Sequence, residues 1–309
     1  MNKTLRRTAA ATSIAMAALV SCNDLGPPAA SPHADGTGVF GPYIPSASAD
    51  ARVAQAKERL IRQCLTTYGF TPDGEVTDTS EGTVRSVLGT ARTAFRPAET
   101  MLVHGFHPAP RSGPPESKAK VEPQMMLVVN GTRSDREVTV HGRAVDRFGC
   151  AGRADQVLSE GIRVPFRPTL PGAEMDAVNL VLDARRSASQ RLARDPSADR
   201  LRKAWADCFA EESGDSGHGY ADPAALAGDV KWMRSEVVTD EETGAAVASR
   251  RCQERLGYPK KMGRLTTAHE REAESAHRDD LKAAWKVFEG RIRNAGCVLE
   301  SKSLAPCGA

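Results

Sequence analysis

The sequence predicts a mainly α-helical bundle with a small β-containing segment near residues 99–147, stapled by disulfides. Three observations carry this expectation. From Gly172 onward, apolar residues recur at three- and four-residue spacing almost without a break. Short apolar runs of strand length, separated by Pro- and Gly-rich breaks, are confined to residues 99–147. The chain has seven cysteines, and six remain once Cys22 is set apart, an even number suited to disulfide pairing.

Cys22 is set apart by what precedes it. Lys3, Arg6 and Arg7 lead into the small and apolar run Thr8–Val20, which is too short to span a bilayer permanently and is flanked like a secretory signal. Leu19-Val20-Ser21-Cys22 then reads as a lipobox. The residues before the cysteine must be small or apolar, because the thiol is alkylated with diacylglycerol before the bond to Ser21 is cut. The expectation is a lipoprotein signal peptide over 1–21 and a lipidated Cys22 carrying a palmitate-type anchor. The protein would then sit on the outer face of the cell membrane. Residues 22–48, with Pro27, Pro28, Pro32, Pro42 and Pro45 among Ala, Ser and Gly, read as a tether. Such a stretch reaches at most roughly 85–90 Å when extended.

The first predicted helix runs from Ala49 to Tyr68. Val53, Leu60, Ile61, Cys64, Leu65 and Tyr68 form its apolar stripe, and Gly69 stands where a helix stop is expected. Residues 71–96 read as loop with one short helix. Three short strands are expected at Thr100–Val103, Gln124–Val129 and Glu137–Val145, with Asn130-Gly131 turning between the second and third. These elements make an N-terminal α+β part, 49–170, before a helical part, 171–309.

In the helical part four stripes stand out. They are Met175, Val178, Val181 and Leu182; Leu201, Ala204, Trp205, Cys208 and Phe209; Ala245, Ala248, Cys252 and Leu256; and Leu281, Trp285, Phe288, Ile292, Ala295 and Leu299. Asp222-Pro223 is an N-cap with proline in the first turn, and Thr239 with Glu242 is a capping box.

Outside the cytoplasm, Cys64, Cys150, Cys208, Cys252, Cys297 and Cys307 are expected as three disulfides. Fifteen connectivities are possible, and the favoured one pairs Cys64 with Cys150, Cys208 with Cys252 and Cys297 with Cys307. No C-x-x-C spacing suggests redox chemistry.

Motifs for chemistry are incomplete. Gly214-Asp215-Ser216-Gly217 and Thr267-Ala268-His269 match short segments of chymotrypsin-like proteases, but serine precedes histidine here and both fall among helices. His104 and His107, with His141 on a neighbouring strand, have the residue types of a zinc or copper site without a set spacing. Glu211, Glu212 and Asp215 lack the alternation of a calcium loop. His269 and His277 lie among Glu270, Glu272 and Glu274 on a face read as solvated charge. Trp205, Trp232 and Trp285 read as core. No catalytic residue, metal site or cofactor is assigned. The net charge of +3 and the exported character point away from nucleic acid as a partner.

Trp205-Ala206-Asp207-Cys208-Phe209, Gly219-Tyr220-Ala221-Asp222-Pro223, Ala245–Cys252 and Trp285 together resemble uncharacterised secreted lipoproteins of Streptomyces and related actinobacteria. Phe209 stands where those sequences carry Met, and the insert Glu211–His218 is longer. The resemblance implies a surface lipoprotein of mostly helical fold and brings no catalytic residue. The expected function is therefore a non-enzymatic binding or scaffold module of the cell envelope with an unidentified envelope partner. The alternatives are an extracytoplasmic ligand-binding component of a transporter or sensor, with a cleft between the strand-bearing and helical parts, and a hydrolase or metal-dependent enzyme.

Overall fold

The computed structural model describes residues 38–71, 84–89, 106, 122–132, 137–164, 172–214, 219–234 and 237–300. Among them the chain is mainly helical, as the periodicity requires. In chain order the helices are α1 (Ala47–Thr67), α2 (Val84–Gly89), α3 (Pro123–Asn130), α4 (Gly149–Ser159), α5 (Ala173–Ala193), α6 (Pro196–Ser213), α7 (Pro223–Ala227), α8 (Asp240–Leu256), α9 (Tyr258–Ala276) and α10 (Arg278–Glu300). A two-stranded hairpin, β1 (Thr139–Val140) and β2 (Arg143–Ala144), precedes α4.

Three apolar cores lie in series, and two helices connect them. The first joins α1, α3, the hairpin, α4 and the C-terminal half of α10, where Ala295 and Val298 are buried. The second joins α2, α5, Ala273 of α9 and the N-terminal half of α10 (Leu281, Ala284, Val287, Phe288). The third joins α6, α7 and α8 to Tyr258 and Met262 at the start of α9. With 23 residues, α10 is roughly 35 Å long and so reaches two cores at once. The expected parts 49–170 and 171–309 accordingly share cores.

Both disulfides within the described residues pair as expected. Cys64–Cys150 ties α1 to α4 in the first core, and Cys208–Cys252 ties α6 to α8 in the third, with Cα separations of 5.6 and 5.8 Å. They span 86 and 44 residues of chain. By the loop-entropy relation they contribute about 4–5 kcal/mol each by restricting the unfolded chain. Cys297 is disulfide-bonded as well; its expected partner Cys307 lies outside the described residues, as does Cys22.

Several expectations are corrected. Gln124–Val129 is a helix: Pro123 presets the backbone at its start, and Val128 and Val129 are buried at its end. A five-residue apolar run, Met125–Val129, fits a buried helix as well as a strand, and periodicity cannot separate them. Glu137–Val145 is not one strand but both arms of the hairpin. His141 (φ +49) and Gly142 (φ +74) form its two-residue turn, pairing Thr139 with Ala144 and Val140 with Arg143. Thr100–Val103 lies outside the described residues.

The tether ends earlier than residue 48. Gly38–Tyr43 forms a 3-10 helix, and Phe40, Tyr43 and Ile44 are buried in the second core. Too few apolar residues stand there to show a period. Met175, read as part of a buried stripe, is 54% exposed. The face that packs consists of Ala173, Ala177, Val178, Val181, Ala184 and Ala188, whose small side chains let α9 and α10 approach closely. Helix α4 follows the same logic, with Cys150, Ala154 and Leu158 buried at four-residue spacing.

At one place backbone meets backbone. Gly131 (φ +76) caps α3 and Gly149 (φ +60) opens α4. A Cβ on Gly131 would lie 2.5 Å from the Gly149 nitrogen, and one on Gly149 would lie 2.4 Å from the Gly131 nitrogen. Gly142, with a similar φ of +74, has nothing within 4 Å of its Cβ position. Gly142→Ala is expected to cost about 1 kcal/mol from the left-handed backbone alone. Gly149→Ala adds a clash that forces α3 and α4 apart, and a loss of more than about 3 kcal/mol is expected. Urea denaturation midpoints of the two variants check the difference.

Candidate functional site

A cleft of about 1030 Å³ opens between the second and third cores. Its walls are the C-terminal half of α5, the middle of α6, the start of α7 and the first four turns of α9. Phe40, Ala188, Leu192, Tyr258 and Met262 supply the apolar lining. Arg185, Arg202, Lys260, Arg264 and Arg271 supply five cations, against two carboxylates, Asp222 and Glu270.

Each wall has a local cause. Helix α6 begins at Asp195, whose Oδ1 accepts from the N–H groups of Ser197 and Ala198 at 2.6 and 3.3 Å. Its Oδ2 accepts from His269 Nε2 on α9 at 2.8 Å. That bond pins the α5–α6 joint to α9, and it is the first cause holding the Asp195 carboxyl below its usual range. Asp222 caps α7 as expected, accepting from Ala225 N–H at 2.8 Å. Thr239 Oγ1 caps α8 by accepting from Glu242 N–H at 3.2 Å, while the buried Glu242 carboxylate accepts from the N–H of Phe106. Helix α9 turns off α8 through Gly257 in the left-handed conformation, with Pro259 in its first turn.

The cations in the cleft fall into two groups. Arg185 donates to the Leu88 carbonyl and lies over the Phe40 ring, and Arg202 donates to the Leu192 carbonyl at 3.0 Å. These two are committed to the fold. Lys260, Arg264 and Arg271 are exposed along one face of α9 and make no hydrogen bond or ion pair among the described residues. Both carboxylates are engaged, Asp222 in its cap and Glu270 in accepting from Val39 N–H at 3.4 Å. Burial first, and then the charge of Asp222, push the Tyr258 phenol up to about 12. It therefore stays a neutral donor at the cleft wall.

The residues singled out from sequence lie elsewhere. His141 donates from Nδ1 to the Tyr68 carbonyl at 2.8 Å and packs on the Phe70 ring, which closes the hairpin over α1. His269 holds Asp195. His104, His107, Asp215 and Ser216 lie outside the described residues. Glu211 and Glu212 pair with Arg255 at 3.9 and 3.4 Å. Among the described residues no three His, Cys, Asp or Glu side chains converge as metal ligands. Trp205 and Trp232 are core, and Trp285 is half-buried. Lys231 Nζ sits 4.1 Å from the Trp232 ring centre and 3.2 Å from Glu241. Sequence reasoning did not identify the cleft. Its signal was present as Lys260, Arg264, Thr267 and Arg271 on one helical face, but the other walls come from distant segments.

Arg291 on α10 is a fully buried charge, at 1% exposure. It donates to Asp155 Oδ1 at 3.0 Å, Glu174 Oε2 at 3.1 Å and Ser159 Oγ at 2.9 Å. Lys57 pairs with the other Asp155 oxygen at 3.1 Å. Burial pushes the Glu174 carboxyl up, and Arg291 opposes that shift. Arg291 and Lys57 thus face Asp155 and Glu174 at the meeting of α1, α4, α5 and α10, with the buried Asp50 of α1 near enough to raise Glu174 as well.

No protein-family model, curated protein or solved structure matches the chain.

Two outcomes are expected from these charges. Arg291→Leu leaves the inward Glu174 carboxylate unpaired and Asp155 with Lys57 alone, so a loss of about 3–5 kcal/mol is expected at pH 7. Glu174, raised further without the guanidinium, takes up a proton in the folded chain before the unfolded chain does. The loss therefore shrinks toward pH 5, and urea denaturation at both pH values checks it.

Tyr43, which donates to Glu274 Oε1 at 2.7 Å, is also pushed up to about 12, by burial first and then by that bond. Both phenols, Tyr43 and Tyr258, ionise in the unfolded chain near 10 and in the folded chain near 12. Their contribution is whole below the lower value and is lost as pH rises through that window. Replacing both by Phe should flatten the fall in thermal midpoint across it, as followed by circular dichroism.

Proposed function

We propose that this chain is a cell-surface lipoprotein, anchored through lipid on Cys22, whose disulfide-stapled helical ectodomain is a non-enzymatic binding module of the envelope. The observation that carries the reading is the pairing of Cys64 with Cys150 and of Cys208 with Cys252. Such bridges persist in oxidising compartments, where a lipobox would deliver the chain. The resemblance to actinobacterial secreted lipoproteins agrees with this placement. No described helix is long and apolar enough to cross a membrane, so a membrane attachment by those residues would not be a helical span.

The cleft favours a second reading, an extracytoplasmic ligand-binding component of a transporter or sensor. It lies within the helical part and not between that part and the strands, so the geometry differs from the one expected. The two readings share an anchored ectodomain that takes a ligand. The enzyme reading gains nothing from His141 or His269, since each is held in a structural hydrogen bond.

Mass spectrometry and fractionation of the protein from its native membrane test the anchor. The expected result is a chain beginning at Cys22 with diacylglyceryl attached and recovered with membranes, and a Cys22→Ala variant recovered in the soluble fraction. An unlipidated chain, or membrane recovery unchanged in that variant, would overturn the reading.

A further inference from the structure

We propose that the cleft between the second and third cores binds an anionic amphiphile, with its acidic head on Lys260, Arg264 and Arg271 and its apolar body along Phe40, Leu192 and Met262. This names the ligand class of the binding module proposed above. The binding itself does not require the anchor.

The charges decide the sign of the ligand. Arg185 and Arg202 are satisfied by carbonyls, and Asp222 and Glu270 by backbone N–H groups, so all four belong to the fold. What is left over is cationic: Lys260, Arg264 and Arg271, exposed on one side of α9. Lys260 and Arg264 are one turn apart, and Arg271 lies about 10 Å further along the helix. A phosphate or carboxylate placed there gains charge-assisted hydrogen bonds and displaces only water.

The lining decides the rest of the ligand. Below the cations the cleft is floored by aromatic and aliphatic side chains, including the buried Phe40, Ala188 and Met262. A free inorganic anion would leave the partly exposed apolar lining, such as Leu192, in water, and a neutral lipid would leave three cations to water alone. A ligand with both an acidic head and an apolar body satisfies both. About 1030 Å³ is the size of a pocket for one such molecule. An extended polymer would need a groove that continues past its ends.

The test uses the full chain carrying Cys22→Ala, so that no lipid of its own competes. Isothermal titration with dodecyl phosphate below its micelle concentration is compared with dodecyl maltoside and with inorganic phosphate. One dodecyl phosphate per chain is expected, bound at least about tenfold more tightly than either comparator. Arg264→Gln with Arg271→Gln should weaken it by about tenfold or more. Ser189→Glu, an exposed change that adds negative charge to the lining, should weaken it independently. Lys261→Gln, exposed on α9 but outside the cleft, should leave it unchanged.

Equal binding of dodecyl maltoside or of inorganic phosphate would overturn the proposal, as would full affinity in the double variant. Loading from phosphatidylglycerol vesicles, with phosphatidylcholine vesicles as control, separates the two sources. Loading from the first alone makes the ligand a membrane lipid. Loading only by the dispersed monomer makes it a soluble amphiphile. Both results keep the site.

Discussion

A guanidinium with 1% exposure is stable only where its charge is matched, and Arg291 sits where α10 passes from one core to the next. Asp155 of α4 and Glu174 of α5 meet it from two directions, and Lys57 of α1 closes the cluster on Asp155. Four helices are thereby held in register by one side chain. Unpaired, such a charge costs several kcal/mol, so packings that slide α5 along α10 are excluded by electrostatics before apolar contact is counted. The apolar faces alone would not fix that register. The packing face of α5 is mostly alanine, which fits many positions equally well.

The disulfides complement this cluster because they act elsewhere. One closes the first core and the other the third, while the second core, which has no bridge among the described residues, is bounded by the Arg291 cluster. Each outer core is closed by its own bridge. Trp205 and Phe209, stacked at 5.0 Å between ring centres, form the centre of the third core one turn from Cys208. Stability is thus spread over three small units joined by α9 and α10.

Much of this was legible. Helix stripes with large residues and the Asp222 and Thr239 caps follow from spacing; the even cysteine count predicts bridges but leaves fifteen connectivities, of which the favoured one holds at two pairs. What was not legible is consistent in kind. Where the buried face is alanine, as on α5, the period fades and an exposed methionine takes its place. Where an apolar run is only five residues long, as at Met125–Val129, strand and helix look alike until Pro123 and the crossing of Gly131 with Gly149 decide. The hairpin turn at His141 hides inside an alternating run because its residues keep the alternation. The Arg291 cluster and the cleft were invisible for another reason: their members are brought together from segments more than a hundred residues apart.

The two seams between cores are built alike and finished differently. At the first, charges from four helices face inward and cancel, so the seam is filled. At the second, Asp195 and His269 pin the α5–α6 joint to α9, yet Lys260, Arg264 and Arg271 on that same helix face outward over an apolar floor. The whole chain carries a net charge of +3, and the cleft lining alone, with five cations and two carboxylates, carries as large an excess. The rest of the surface is then balanced on average. A fold that matches even a fully buried arginine with carboxylates leaves a local positive excess along this cleft. The field of that excess is long-ranged enough to draw an anion in and too weak over the whole molecule to attract polyanions at large.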